Sequence, residues 1–289
     1  MKLSFILATC NGSDIISDCL KSISNIKLAT NITLELIVVD QSFDHSTYNV
    51  LETFNFDFPV LYVHSLKRGL SCSRNIGIEL STGDYVCFAD DDATYKSDLL
   101  IDLNNVILQK IAASNGKFCF VGGTVRVPGT NQLTRYTERE DEHIINRSNF
   151  GADITSISLF IDKQFIASKG IRFDEQLGLG AKFPSCEEVD FVYRMLNMDV
   201  EGIYVPNITT YHINPVAYTA CKTEDYALGH GAFCKKMLIS NGLSIFSIKY
   251  LIVKFIKVIL KFPYALIKTG VFPFRYFKGF MSGFKNYKG

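Results

Sequence analysis

No acidic residue follows Asp225. All 29 Asp and Glu lie in residues 1–225, whereas 11 of the 30 Lys and Arg lie in residues 226–289, so a formal net charge of +1 conceals an acidic body with a basic tail. No uncharged apolar run reaches the roughly 18 residues needed to cross a bilayer. The first apolar run, Leu3 to Thr9, follows a single basic residue and stops at Asn11-Gly12, too short for a secretory signal. The eight cysteines, at positions 10, 19, 72, 87, 119, 186, 221 and 234, form no C-x-x-C pair and no metal-finger spacing; they read as reduced, buried, small apolar residues of a cytoplasmic protein. No G-x-G-x-x-G follows the first run, which excludes a Rossmann dehydrogenase, and no glycine-rich basic loop stands there to cradle a phosphate.

What is present is a strand-then-helix rhythm in a 289-residue chain that is 47% apolar, enough for a large core. Leu3–Thr9, Leu34–Asp40 and Val60–His64 are near-continuous apolar runs. A helical pattern extends to about Ile26 after the first, and another over Ser71–Ser81 leads through Thr82-Gly83-Asp84 into Tyr85-Val86-Cys87-Phe88-Ala89. Such runs alternating with amphipathic helices imply a mostly parallel sheet covered on both faces, with ligands bound beyond the carboxyl ends of the strands. Thr9, Asp40 and the triplet Asp90-Asp91-Asp92 all stand at such ends. Three adjacent carboxylates repel one another, and with no glycine cradle for phosphate a divalent cation is the natural neutralising group.

Ile6-Leu7-Ala8-Thr9-Cys10-Asn11, Leu36 to Ser42, Arg68 to Gly77, Thr82 to Asp92 and Cys186 to Arg194, in that order over roughly residues 1–215, resemble a family 2 glycosyltransferase of the inverting, bacterial polysaccharide-assembly type. The resemblance implies the GT-A fold, an α/β architecture with a Rossmann-like central sheet flanked by helices. It implies that Asp40 meets the nucleotide base with Thr9 beside it, and that Asp92, in the D-x-D element, binds Mn2+ or Mg2+. Asp90 and Asp91 would reach the ribose or bind the metal through water. Arg68, preferred over Arg74, would face base or phosphates, since an arginine inside a helix is as apt to form a salt bridge. Glu188 matches the second member of the acidic pair that deprotonates the acceptor hydroxyl, with Asp190 as the other candidate base; i and i+2 diverge on a helix, so both cannot reach one hydroxyl. His212, expected just after a strand over Glu201–Pro206, is a third possible metal or diphosphate contact. The stretch from Glu224 to Ala232, with His230, resembles a segment near the acceptor side and is expected to shape a lid.

The implied reaction is metal-dependent transfer from a nucleoside-diphosphate sugar, UDP-sugar being the commonest case, to a hydroxyl of a glycan or lipid-linked glycan in surface polysaccharide biosynthesis. A non-catalytic sugar-nucleotide or glycan-binding relative and a metal-dependent sugar-nucleotidyltransferase are the alternatives. Residues 1–225 are expected to be the catalytic domain, with 1–115 as the nucleotide-sugar half and 116–225 as the acceptor and base half. The polar stretch 128–150, with Arg135, Glu138, Arg139, Glu140, Asp141 and Glu142, reads either as a solvated loop or as an acceptor-specificity insertion.

Residues 226–289 read as a helical amphipathic extension. Between Ser247 and Phe262, Ile248, Leu251, Ile252, Phe255, Ile256 and Ile259 recur at helical spacing, and Lys254, Lys257 and Lys261 fall on a stripe of about 60°. Pro263 ends or kinks that helix, and aromatic residues alternate with basic ones beyond it. This pattern favours an anionic membrane surface, and hence a peripheral location on the inner face of the cell membrane, over packing on the catalytic domain or a homodimer interface. The wide apolar face argues against nucleic acid.

Overall fold

The computed structural model describes residues 1–134, 140–151, 154–212, 220–241, 250–252 and 272–289. Strand β1 (Lys2–Thr9) is buried along almost its whole length because it sits between two parallel neighbours, β2 (Thr33–Asp40) and β4 (Tyr85–Asp90), and apolar side chains on both faces have water on neither. β3 (Val60–His64) adds to the outside of β2, also in parallel. Helix α1 (Ile16–Ser24) covers one face with Ile16, Cys19, Leu20 and Ile23, a spacing that places all four on one side of the helix. Helices α2 (Ser46–Leu51) and α3 (Leu70–Leu80) complete the alternation.

Beyond β4 the sheet becomes mixed. After β5 (Ala93–Tyr95) and α4 (Leu99–Val106) come β6 (Phe118–Arg126), β7 (His143–Ile145), β8 (Leu159–Asp162), α5 (Lys163–Ser168), α6 (Glu187–Leu196) and β9 (Glu201–His212). The strand order is β3-β2-β1-β4-β8-β6-β9-β5, with β7 also pairing with β9; β8 runs antiparallel to both β4 and β6, and β6 and β9 are parallel. The strand expected to stop at Pro206 continues to His212. Proline has no N–H to give to a ladder, and the chain accommodates it with a register shift opposite Gly123 and Thr124 before pairing resumes.

The chain divides into a first unit, Met1–Phe173 with Glu188–Asn214, and a second, Asp174–Glu187 with Pro215–Gly289. Strands β6, β8 and β9, from the stretch 116–225 expected to serve the acceptor and base, belong to the same sheet as β1. The glycine-rich segment after Phe173 joins the second unit because of its side chains. Asp174 accepts from Lys236 Nζ at 2.7 Å and from Tyr287 Oη at 2.8 Å, and Leu177 and Phe183 share a small core with Ala232 and Tyr287. The framework of this unit is α7 (Ala220–Asn241) and α8 (Phe272–Asn286). The stretch expected to form a lid lies inside α7. There Gly229 and Gly231 permit close approach to Ser185 and to the α8 backbone at Phe280, and His230 Nδ1 is 3.2 Å from Tyr276 Oη. Arg135, Glu138 and Arg139, and the expected helix 247–262 apart from residues 250–252, lie outside the described residues. Among the described residues no helix is long and apolar enough to cross a membrane. Most cysteines are buried as expected; Cys10 is exposed, and the side chain of Cys221 is not among those described.

Glu35 is an acid inside the buried run of β2, and its surroundings explain how it is tolerated. Its Oε1 accepts from Ser4 Oγ and Thr82 N, both at 2.6 Å, and its Oε2 accepts from Thr82 Oγ1 and lies 2.6 Å from Lys2 Nζ. Burial alone would raise the carboxyl; the bonds from Lys2, Ser4 and Thr82 outweigh it and hold the pKa at about 2. A depressed folded pKa stabilises the fold above the unfolded value and is lost as pH falls through the folded one. Glu35→Gln should therefore cost roughly 1–2 kcal/mol near neutrality, a figure reduced from the full linkage value because Lys2 is partly exposed. Urea titrations between pH 7 and 2 should show the difference from wild type closing between pH 4.5 and 2; a difference independent of pH would assign the stabilisation to shape rather than charge.

Candidate active site

In-register pairing brings the polar ends of three strands side by side: Thr9 stands opposite Asp40, and Ala8 opposite Asp90. Asp40 is fully buried. Its Oδ1 accepts from the Ser42 amide at 2.8 Å and hydroxyl at 2.5 Å, and its Oδ2 from Tyr62 Oη at 2.9 Å. Ser42 Oγ in turn accepts from the Asn11 amide at 2.8 Å, so the loops after β1 and β2 are tied together. Gln41 positions the next loop: its side-chain amide donates to the carbonyls of Lys67 (2.5 Å) and Gly69 (3.1 Å) and its Oε1 accepts from Gly69 N at 3.1 Å. On that loop Arg68 is exposed. Its guanidinium lies 3.9 Å from the centre of the Phe43 ring and 2.8 Å, through Nη1, from Cys10 Sγ.

The triplet resolves its mutual repulsion by sending each carboxylate to a different partner. Asp90 Oδ1 is 3.0 Å from Nη2 of Arg74, which is 1% exposed and also donates to Ser156 Oγ at 3.0 Å. Asp91 Oδ2 accepts from Thr9 Oγ1 at 2.6 Å. Asp92 Oδ1 is 3.0 Å from Nε2 of His212, which reaches it because β5 pairs with β9 and places His212 opposite Ala93. Burial raises the Asp90 and Asp91 carboxyls, against the pull of Arg74 on the first and of the Thr9 bond on the second; the hydrogen bond with His212 lowers Asp92. Asp90, Asp92 and His212 each offer one ligand atom, and the three atoms lie within 4.8 Å of one another. Two carboxylate oxygens and one imidazole nitrogen form a donor set that suits a small divalent cation such as Mn2+ or Mg2+.

Helix α6 is held against the strand that carries the triplet. Phe191 stacks on Phe173 with ring centres 4.3 Å apart and meets Phe88 of β4 at 6.2 Å. Glu188, in the first turn, is half-buried, and its carboxylate forms no hydrogen bond or ion pair with another described residue. Asp190 differs: it is 1% exposed and paired with Arg194 Nε at 2.9 Å, while Arg194 Nη2 donates to the carbonyl of Arg172.

The segment from residue 4 to residue 168 matches the family model "Glycosyl transferase family 2", more than half of the chain. The chain belongs to this family. Among its relatives is the succinoglycan biosynthesis protein ExoM of Rhizobium meliloti, 31% identical over 90 residues, which are 30% of this chain and 29% of that protein; the chain thus spans less than a third of that relative's length. Among solved structures, S. aureus TarS 1-349 in complex with UDP aligns with a TM-score of 0.63 at 17% identity over 82% of this chain and 66% of that one. The mannosyltransferase PcManGT from Pyrobaculum calidifontis, in complex with GDP-Man and Mn2+, aligns with a TM-score of 0.63 at 14% identity over 97% of this chain and 86% of that one. The fold shared with these proteins is GT-A.

Several residues that shape the site carry no sequence signal of their own. Ser156 reaches Arg74 from 82 positions away, and Tyr62 reaches Asp40 from the neighbouring strand β3. Gly12 had one weak cue, the Asn-Gly turn. A Cβ at Gly12 would collide with Thr9 Oγ1 and Asp91 Oδ2, so glycine here permits the bond between them. Gly12→Ala should cost about 1–2 kcal/mol. Thr9→Val should cost a similar amount, and the double variant little more than either, because both changes break the same bond. Additive costs in urea denaturation would show that the two residues act independently.

Proposed function

We propose that the protein transfers a glycosyl residue from a nucleoside-diphosphate sugar, with a UDP-sugar as first candidate, to a hydroxyl of a glycan or lipid-linked glycan in surface polysaccharide biosynthesis, with inversion at the anomeric carbon. The observation that carries this reading is the donor set of Asp90, Asp92 and His212 on the same strand edge as Thr9 and Asp40. Family membership supports the reaction class. The UDP bound by TarS and the GDP-Man and Mn2+ bound by PcManGT support the donor class, and the name of ExoM supports a polysaccharide product.

In this reading Asp40, held by Ser42 and Tyr62, faces the base with Thr9 beside it, and Arg68 approaches the base or phosphates from its exposed loop. Asp90, Asp92 and His212 hold the divalent cation, and Asp91 faces the ribose. That cation would offset the negative charge of the diphosphate as it leaves. Arg74 keeps Asp90 in place, its guanidinium engaged with Asp90 Oδ1 and Ser156 Oγ. Glu188 takes the proton of the acceptor hydroxyl while the new oxygen–carbon bond forms and the bond from the anomeric carbon to phosphate breaks. Asp190, engaged with Arg194, fixes the helix turn on which Glu188 sits.

The test is a screen of nucleotide sugars with Mn2+ or Mg2+, read as release of nucleoside diphosphate and transfer to the acceptor. Chelation should abolish both, and Glu188→Gln should keep donor binding while lowering transfer by about 10²–10⁴-fold. Transfer surviving in Glu188→Gln would move the base to Asp190. Turnover of a nucleoside triphosphate with a sugar phosphate would overturn the assignment in favour of a nucleotidyltransferase.

A further inference from the structure

Helix α8 in the second unit has two contrasting sides. One is fitted to α7: Gly279 and Gly283 stand where a Cβ would collide with the carbonyls of Glu224 and Leu228, and Phe280 and Tyr287 are buried. The backbones therefore meet closely, and the rotation of α8 about its axis is set by that fit. The opposite side presents Phe274, Phe277 and Met281, exposed to 56%, 49% and 42%. Lys278 and Lys285 stand among them, so that all five residues fall within an arc of about 100° at 3.6 residues per turn.

Beside this stripe runs a groove lined by Lys235, Met281, Ser282, Phe284, Lys285 and Asn286, in which the Lys235 ammonium lies 5.3 Å from the centre of the Phe284 ring. A helix packed against protein on both sides would bury such rings. A solvated helix has no use for three large apolar side chains in one row. Rings and a thioether interleaved with lysines match a lipid interface, where apolar groups enter the acyl boundary and ammonium groups stay at the level of the phosphates. The charge agrees: no acid occurs among residues 226–289, although Glu224 of α7 lies 3.1 Å from Lys278 Nζ, which stays largely exposed.

We infer that the stripe of Phe274, Phe277, Lys278, Met281 and Lys285 on α8 is a docking face for an anionic bilayer, with Lys235 and Lys285 flanking a groove for a lipid phosphate. This inference does not depend on the glycosyl-transfer reading, and its test uses no sugar substrate. The 289-residue chain is sedimented with vesicles of phosphatidylcholine alone and of phosphatidylcholine mixed with phosphatidylglycerol. Binding should occur to the mixed vesicles only and should fall with salt. Lys278→Gln and Lys285→Gln should each weaken it roughly fivefold, and Phe277→Ser with Met281→Ser should weaken it further. All four positions are exposed, and unchanged thermal melting would exclude misfolding as the cause.

Equal binding to both vesicle types, no binding to either, or wild-type binding by these variants would overturn the inference. A concentration-dependent dimer, seen by light scattering without lipid and dispersed by Phe277→Ser with Met281→Ser, would instead assign the stripe to a second copy of the chain.

Discussion

Three consecutive carboxylates at the end of a buried strand cannot share one environment, and the fold of the first unit answers that constraint. Asp90 is met by a buried arginine of α3, Asp91 by a threonine hydroxyl at the end of β1, and Asp92 by a histidine at the end of β9. Each partner comes from a different element, so α3, the end of β1 and the end of β9 must all be in place before the triplet is satisfied. Burial, with a smaller contribution from the neighbouring Asp92 charge, raises the Asp90 and Asp91 carboxyls. Such a cluster is a good host for a cation, because binding removes repulsion that the fold only partly offsets.

The surrounding polar network serves precision more than stability. Asp40, Gln41 and Asn75 are nearly inaccessible, and each holds a neighbouring segment by two or more hydrogen bonds: the β2 turn, the β3–α3 loop and the backbone of Phe173, respectively. Buried polar groups of this kind are costly if left unmet and directional when met. They explain how irregular loops at a strand edge keep a defined geometry. The aromatic stack of Phe88, Phe173 and Phe191 does the equivalent work for α6, tying the helix that carries Glu188 to the strand that carries the triplet.

The second unit follows a different logic. Its described helices meet at glycines, where backbone-to-backbone contact fixes rotation, and a partly buried ion pair joins Lys236 to Asp174 with Tyr287 as a further donor. The aromatic side chains of α8 divide between that contact and the exposed face. Composition shows the basic, aromatic-rich character of this segment but cannot say which rings are buried.

Much of the first unit was legible in the order of residues. Periodicity placed the parallel strands within a residue or two, because strands covered on both faces must be apolar throughout. The acids at their ends stood out because charge there has no packing explanation. The family resemblance named Asp90, Asp92 and His212 as candidate ligands, but only the structure shows that their donor atoms converge, since the pairing of β5 with β9 joins residues more than a hundred positions apart. Arg74 could be read as a salt-bridge former; its partner could not. The strand through Pro206, the return of residues 174–187 to the second unit and the exposed stripe of α8 were decided by tertiary contacts alone. The sequence by itself determined which segments must be buried and where unexplained charge lies, since hydrophobicity and charge are local properties. Which charges meet was left to the tertiary structure, because a hydrogen bond is directional and its partner can come from anywhere in the chain.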